Sequence, residues 1–199
     1  MSNDSFQGSL VLPHSFYERE TLEVARDLIG CRLHRKLPEE LGGEILVGQI
    51  IETEGYLGEF DDAAHTARGR TKRNQVMFGP PGFTYVYFIY GMHWNLNVVT
   101  MPEGIGQGVL IRGVVPIQGE KTMAKLRGRP KPLADGPGKL CQAFAITGDD
   151  YGTDLTGDQI FITERTSPVN VRTTPRIGID YATNKHEPWR FIDSDRVRR

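Results

Sequence analysis

The residues best suited to chemistry lie between Ile51 and Asn97. Glu54 stands where a β-branched run gives way to Gly55, and a tyrosine follows it at position 56. A histidine, a group of cations and a tyrosine-rich segment come next along the chain: His65, Arg68, Arg70, Lys72, Arg73, Tyr85, Tyr87 and Tyr90. A carboxylate near flat aromatic groups and cations suits an enzyme that takes a base out of a nucleic acid and cleaves it from its sugar.

The position of Glu54 has two interpretations. Period-two alternation places it on one strand face with Ile50 and Glu52, and a carboxylate on a mostly apolar face is costly unless it has partners. A single glutamate at a strand end is, however, usually a surface residue. Arg112 favours the functional interpretation, because it lies in an apolar strand and its charge requires an anionic or carbonyl partner there.

The aromatic residues of the segment 83–90 have similar alternatives. Tyr85 and Tyr87 share one strand face, and aromatic stripes on strands usually belong to a core. Tyr90 lies at the turn, where an exposed ring can wedge into a base stack and hold the gap after a nucleotide leaves. Asn97, in the return strand, is either a satisfied polar group of the sheet or a short amide that limits what fits beside a base.

The charge of the chain is unevenly distributed. The formal net charge is −1, yet cations concentrate in residues 68–73 and 121–139. These two segments form either a nucleic-acid-binding surface or solvated loops and a helix face. Lys139 follows Gly136-Pro137-Gly138 at a predicted helix start, where free backbone N–H groups suit a phosphate.

Composition and missing motifs exclude several classes of protein. No apolar run approaches the length of a membrane helix, and residues 1–5 lack the features of a signal peptide, so we expect an intracellular protein. Cys31 and Cys141 are predicted to be buried thiols rather than a disulfide or a metal site. Zinc deaminase, phosphate-loop and nucleophile-elbow motifs do not occur, and the histidines lack metal-ligand spacing. We therefore expect neither a metal nor a cofactor.

The elements that must position these residues indicate an α+β fold. We predict one domain over residues 1–199, with residues 1–14 as a weakly structured lead-in. Its strands are expected to be mostly antiparallel, in a curved sheet with surrounding helices and a protruding β-hairpin. Helices are predicted at Thr21–Ile29, 120–127 and 136–146, and strands at 31–37, 44–54, 83–90, 94–100, 107–115, 159–163 and 169–172, with Pro116 ending the fifth strand.

Blocks of sequence in this order resemble the alkyladenine (3-methyladenine) DNA glycosylase family. They read IETEGYLG, DDAAHT, YVYFIYGM, LNV, VLIRG and GPGKLCQA, and the resemblance extends from about residue 22 to about residue 191. The resemblance implies a single mixed domain whose hairpin enters the minor groove of double-stranded DNA that contains damaged purines. A monomer without a cofactor is expected.

The resemblance also implies roles for individual residues. Glu54 would activate the attacking water, and Arg112 would help to hold that water near the backbone around Ile179. Tyr56 would stack on one face of the flipped base, with His65 and Tyr87 on the other. The remaining roles are an exclusion of guanine by Asn97, a wedge formed by Tyr90, and DNA contacts by Arg70, Thr71, Arg73, Met92, His93 and Lys139.

Two other functions remain open from the residues alone. A non-catalytic sensor of distorted DNA would use the same wedge and pocket, although it would not need Glu54. A hydrolase of small nucleosides or glycosides would need neither the hairpin at Tyr90 nor the cations. The preferred interpretation is a DNA glycosylase that excises damaged purines of the 3-methyladenine, 7-methylguanine, hypoxanthine and ethenoadenine class, leaving an abasic site without lyase activity.

Overall fold

A computed structural model describes residues 10–197 of the chain. Its strands are β1 (Arg32–Lys36), β2 (Ile45–Tyr56), β3 (Thr84–Ile89), β4 (His93–Val99), β5 (Gly108–Gln118), β6 (Ile160–Thr163), β7 (Val171–Thr174) and β8 (Arg190–Asp193). Its α-helices are α1 (His14–Tyr17), α2 (Thr21–Asp27), α3 (Glu120–Arg127) and α4 (Pro137–Ala143). None of the helices in this described part is long and apolar enough to cross a membrane.

The strands form one curled sheet, and each pairing between the described strands is antiparallel. The main path runs β3-β4-β5-β2-β1-β6, and β8 joins the end of β2 to β7. Strand β2 is the longest, and its last residues pair with β5 on one side and with β8 on the other. The end of β2, where Glu54 lies, is therefore held on both edges.

The β3–β4 hairpin separates the main core from the site. Val86, Leu96 and Val98 belong to the main core, whereas Tyr85 and Tyr87 belong to a smaller cluster on the opposite face. Alternate side chains of one strand point to opposite faces, so the sequence of these strands specifies both surfaces at once. The main core is completed by α2, which packs on β2 and β5, and by α4, which packs on β4 and β5.

The predicted fold class and most predicted elements are confirmed. The helix at residue 21 ends earlier than predicted, at Asp27, and α4 ends at Ala143 rather than at 146. Both cysteines are buried and free, as expected. The short helix α1 and strand β8 were not predicted.

The structure differs from the predictions for the end of the fifth strand and for the N-terminal lead-in. Strand β5 continues past Pro116 to Gln118, because Pro116 pairs with Gly48 beside a shift in register, where a missing N–H is tolerated. The predicted lead-in 1–14 is structured where it is described. Val11 forms a β-bridge with Thr163, and Leu12 is buried and bonded to the backbone of Ile162. Residues 1–9 lie outside the described residues.

Candidate active site

A cavity of about 300 Å³ opens on the face of the hairpin that carries Tyr85 and Tyr87. Its size is at the lower end of ligand pockets, which suits one planar heterocycle. Seven of the residues predicted for the site line it, namely Tyr56, His65, Tyr87, Tyr90, Asn97, Arg112 and Ile179. Residues that were predicted to share a site, some of them more than a hundred positions apart in the sequence, therefore line one cavity.

Glu54 lies directly behind the wall of this cavity. Its side chain is 0% exposed, and it accepts hydrogen bonds from the Tyr56 hydroxyl at 2.9 Å and from the Ile177 backbone N–H at 2.8 Å. Arg112 Nη1 lies 3.4 Å from the same carboxylate oxygen that Tyr56 contacts. All three of these donors belong to residues that line the cavity, so the carboxylate lies immediately behind the lining.

Burial governs the acidity of Glu54. Removal of water from the carboxylate raises the pKa of Glu54 above its ordinary value, and this outweighs the opposite effects of Arg112, the Ile177 N–H and the Tyr56 hydroxyl. Burial also raises the pKa of the Tyr56 phenol, which therefore stays protonated and donates to Glu54. The raised pKa makes the Glu54 carboxylate a stronger base than an exposed glutamate.

Arg112 is shared between two carboxylates. Its Nε donates to Glu52 at 3.0 Å, and Glu52 also accepts a bond of 2.6 Å from Arg190 Nε. Glu52 and Glu54 thus reach the same arginine, as the predicted alternation requires. Ile50 instead belongs to the main core, and the pairing register shifts between Ile50 and Glu52, so the predicted face does not extend back to Ile50.

The first wall of the cavity is aromatic. Tyr85 and Tyr87 stack with ring centroids 4.9 Å apart, and the His65 ring meets Tyr87 edge-on at 4.5 Å. His65 Nδ1 lies 2.9 Å from the Tyr85 hydroxyl. Burial raises the pKa of Tyr87 to about 12, so its ring is neutral at physiological pH. This wall offers flat, uncharged faces to a heterocycle.

The second wall is Tyr56, and a buried ion pair supports it from outside the cavity. The guanidinium carbon of Arg176 lies 4.6 Å from the centroid of Tyr56 and 4.9 Å from that of Trp189. Arg176 donates to both carboxylate oxygens of Asp61, at 2.6 and 2.8 Å, and both side chains are 0% exposed. The ion pair therefore fixes the ring of Tyr56 and the start of the segment that contains Ile177.

Glu54 and Tyr56 are alternate residues of β2 and so share one face, and α2 approaches the opposite face closely. Gly55 lies between them and turns the other way, toward Leu22. A Cβ on Gly55 would lie 2.6 Å from Leu22 Cδ2, so a larger residue would force the Leu22 side chain to move. The glycine in the block IETEGYLG is thus explained by packing.

The hairpin tip beside the cavity is exposed and apolar. Tyr90 is 84% exposed and Met92 is 66% exposed. Tyr90 and Gly91 both have a positive φ, at 49° and 67°, which is the conformation of tight two-residue hairpin turns. A tyrosine in this region is uncommon, and such backbone strain concentrates at functional sites.

The residues predicted to contact DNA differ in whether their side chains already have partners within the protein. Arg70 is exposed, whereas Arg73 donates to the Phe88 carbonyl at 3.0 Å. This bond connects the basic loop, residues 68–73, to the hairpin. Lys139 forms an ion pair with Asp135 at 2.8 Å. Thr71 exchanges two hydrogen bonds with Asn74. His93 packs against Gly138 at the start of α4.

Sequence reasoning missed the residues that hold this site in place. Asp61 and Arg176 are 115 positions apart and Glu52 and Arg190 are 138 apart, so no local pattern connects them. Asn74 was also missed; its amide donates to the His65 carbonyl at 2.8 Å. The hydrogen bond from the Ile177 N–H to Glu54 was not predicted either, and Ile179, which was expected near the attacking water, lines the cavity.

An aromatic cavity backed by a buried carboxylate suits an enzyme that acts on nucleobases, and comparison with known families identifies which enzymes these are. Residues 15–197 match the model of the family described as Methylpurine-DNA glycosylase (MPG). The chain belongs to this family, and is accordingly a DNA glycosylase whose substrate is DNA.

Similar proteins support the same assignment. The chain is 46% identical over 190 residues to a protein of Methanocella arvoryzae, with 93% of each chain covered. It is 46% identical over 187 residues to a protein of Carboxydothermus hydrogenoformans, covering 92% of this chain and 94% of that one. Both relatives carry the name 3-methyladenine DNA glycosylase as a provisional assignment.

Proposed function

We propose that this protein excises damaged purines from double-stranded DNA and leaves an abasic site. Its substrates belong to the class of 3-methyladenine, 7-methylguanine, hypoxanthine and ethenoadenine. It acts inside the cell as a monomer and needs no cofactor. One observation carries this proposal: the fully buried carboxylate of Glu54 lies behind an aromatic cavity that has room for one base.

The exposed hairpin tip supports a base-flipping mechanism. Chemistry on a base inside a duplex requires that the base leave the stack, which costs a few kcal/mol. Tyr90 lies at the mouth of the cavity and its ring is nearly free of protein contacts, so it can stack in the gap that the purine leaves. The purine then lies between Tyr56 on one side and His65 with Tyr87 on the other, with Asn97 at its edge to exclude guanine.

Glu54 acts as the general base in the proposed reaction. A water molecule held by Glu54 and Arg112 attacks C1′ of the sugar and gives its proton to the Glu54 carboxylate. The bond between C1′ and the purine nitrogen breaks, and its electron pair leaves with the base. A purine alkylated at N3 or N7 carries a positive charge, so it departs as a neutral molecule and needs no additional acid. Hypoxanthine and ethenoadenine are neutral in DNA, so each must take up a proton to leave as a neutral base.

The product is an intact strand with an abasic site. Cleavage of the strand by a lyase requires an amine that forms a Schiff base with the sugar. None of the described residues that line the cavity is a lysine. Treatment with borohydride during the reaction should therefore trap no covalent adduct between enzyme and DNA.

DNA contacts by the basic loop, the hairpin and α4 complete the proposal. We assign phosphate or groove contacts to Arg70, Thr71, Arg73, Met92, His93 and Lys139. Arg70 is free to reach a phosphate as it stands, whereas Lys139 must exchange its bond with Asp135 for one. These contacts bind DNA without regard to sequence.

The test compares Glu54→Gln with the wild type on a duplex that contains one hypoxanthine. After incubation, alkali converts abasic sites to strand breaks that are counted on a gel. The amide keeps the size of the side chain but cannot accept the proton, so excision should fall by at least about a hundredfold while binding to the lesion duplex is kept. Glu59→Gln is the matched control, because Glu59 is exposed and lies outside the cavity.

The same assay separates the alternatives. Excision by Glu54→Gln close to the wild-type rate would remove Glu54 from the mechanism. A wild type that binds the lesion but excises no base would be a sensor of damaged DNA. Release of base from free nucleosides, and not from duplex, would indicate a hydrolase of small substrates.

A further inference from the structure

The wall of the cavity contains two asparagines that face the aromatic pair. Asn95 pairs with Tyr87 across the hairpin, and Asn97 pairs with Tyr85. Residues directly opposite in an antiparallel pair share a face, so both amides point into the cavity with the two rings, and both line it. The resemblance that assigned a role to Asn97 assigned none to Asn95.

The Asn95 amide carries an acceptor that the protein leaves unused. Its NH₂ group donates to the Tyr87 hydroxyl at 3.3 Å, which leaves its carbonyl oxygen pointing elsewhere. That oxygen is buried, since the residue is only 5% exposed, and it has no hydrogen-bond partner among the described residues. Buried acceptors are almost always satisfied, and an exception in a binding cavity indicates a bond that the ligand completes.

We propose that Asn95 is a specificity-determining residue that accepts a hydrogen bond from an N–H group of the flipped purine. This inference rests on the proposed function, because it requires a purine in the cavity. The Asn97 oxygen also lacks a partner among the described residues, but only the Asn95 amide is bonded to the hydroxyl of Tyr87, and Asn95 acts by accepting a bond from the base rather than by excluding a group on it. The partner is therefore a purine that keeps an N–H on its ring or on its amino nitrogen.

The damaged purines divide into two groups by this criterion. Hypoxanthine carries an N–H at N1, and 3-methyladenine and 7-methylguanine also carry N–H donors. Ethenoadenine has none, because its added ring closes over both nitrogens of the adenine edge. When a base without a donor fills the cavity, it excludes water and leaves the Asn95 oxygen unsatisfied, which opposes binding.

The experiment measures single-turnover excision of hypoxanthine and of ethenoadenine at the same position, opposite the same base. Asn95→Leu removes the acceptor and keeps the branched shape of the side chain, and Asn95→Ala removes the acceptor without adding bulk. Each should lower the rate for hypoxanthine about tenfold relative to the rate for ethenoadenine. Asn170→Leu makes the same chemical change at an exposed residue far along the chain and should leave both rates unchanged.

The ratio of the two rates decides the outcome. A purely structural role for Asn95 would lower both rates in parallel in both variants, and this would overturn the inference. A loss confined to ethenoadenine would overturn it as well. The proposed function fails in a different way, namely if the wild type excises neither lesion.

Discussion

The ion pair between Asp61 and Arg176 leads to a quantitative prediction for the stability and the activity of a variant that lacks Asp61. Asp61 accepts two bonds from the guanidinium and three further bonds from Asn184 and the backbone N–H groups of Leu57 and Ala63. Asp61→Ala removes all five and leaves a fully buried cation without a counter-charge. The guanidinium keeps only the Gly55 carbonyl and the Asn184 side chain as acceptors.

The expected loss of stability follows from this geometry. Breaking a buried ion pair by removing one partner costs about 3–5 kcal/mol. For a domain of about this size, 1 kcal/mol corresponds to roughly 2–4 °C in the melting temperature, so Tm should fall by about 6–20 °C. Excision should fall about a hundredfold even at a temperature where the variant is folded, because Tyr56 and the Ile177 N–H lose the support that positions them.

Thermal unfolding and single-turnover excision, measured on the same preparations, test this prediction. Asp62→Ala is the matched control, since the neighbouring carboxylate is exposed and its loss should cost no more than about 1 kcal/mol. Replacing Asp61 and Arg176 together by leucine should recover part of the stability without recovering excision, because it removes the unpaired cation but leaves the Leu57 and Ala63 N–H groups without their acceptor. A single Asp61→Ala variant with wild-type Tm and rate would refute the reasoning, and an active double variant would show that the pair does not position Tyr56.

Three further predictions concern the wedge, the base and the phosphates. Tyr90→Ala should slow excision most for well-paired lesions and least for lesions in weak pairs, because it removes the stacking that compensates for flipping; an equal loss for one lesion placed opposite several bases would contradict the wedge. Glu54 must be ionised to act, so excision of an already cationic lesion should fall as pH drops through its raised pKa. Tyr56→Phe removes a bond that lowers this pKa and should move the acid limb of the pH profile to higher pH, whereas an unchanged limb would separate Tyr56 from Glu54. Lys139→Ala should weaken binding to lesion and undamaged duplex equally and reduce the salt dependence of log K by about one; a change in lesion preference alone would place Lys139 in the pocket.

The periodicity of the sequence predicts much of the fold because most elements are regular. The hairpin illustrates this, since its alternating residues assign Val86 and Leu96 to the core and Tyr85 and Asn97 to the cavity. Strand β8 was missed because its four residues, Arg190–Asp193, include two buried charged side chains, and Arg190 is paired with the distant Glu52. A short strand of this kind has no local pattern that distinguishes it from a loop.

The residues of the site also divide into those that the sequence predicts and those that it does not. The seven predicted residues that line the cavity were found from their types and from the family resemblance, whereas Asn95 and Ile177, which also line it, were not predicted. The charged residues that hold the site in place could not be predicted, because they act through ion pairs between residues more than a hundred positions apart. Asp61 illustrates the difference, since its place in the block DDAAHT is visible in the sequence while its partner Arg176 is not.

The way in which Arg112 is shared explains how Glu54 can be both buried and basic. A dedicated ion pair with Arg112 would stabilise the carboxylate strongly, and a strongly stabilised carboxylate is a poor base. In this structure the shorter contact of Arg112, at 3.0 Å, goes to Glu52, and Glu54 receives the longer one at 3.4 Å. Glu52 thus holds Arg112 against the cavity, and burial outweighs the lowering effect of Arg112 on the pKa of Glu54. Two glutamates at alternate positions of one strand therefore have different tasks: Glu52 positions the cation, and Glu54 keeps the basicity that the proposed attack of water on C1′ requires.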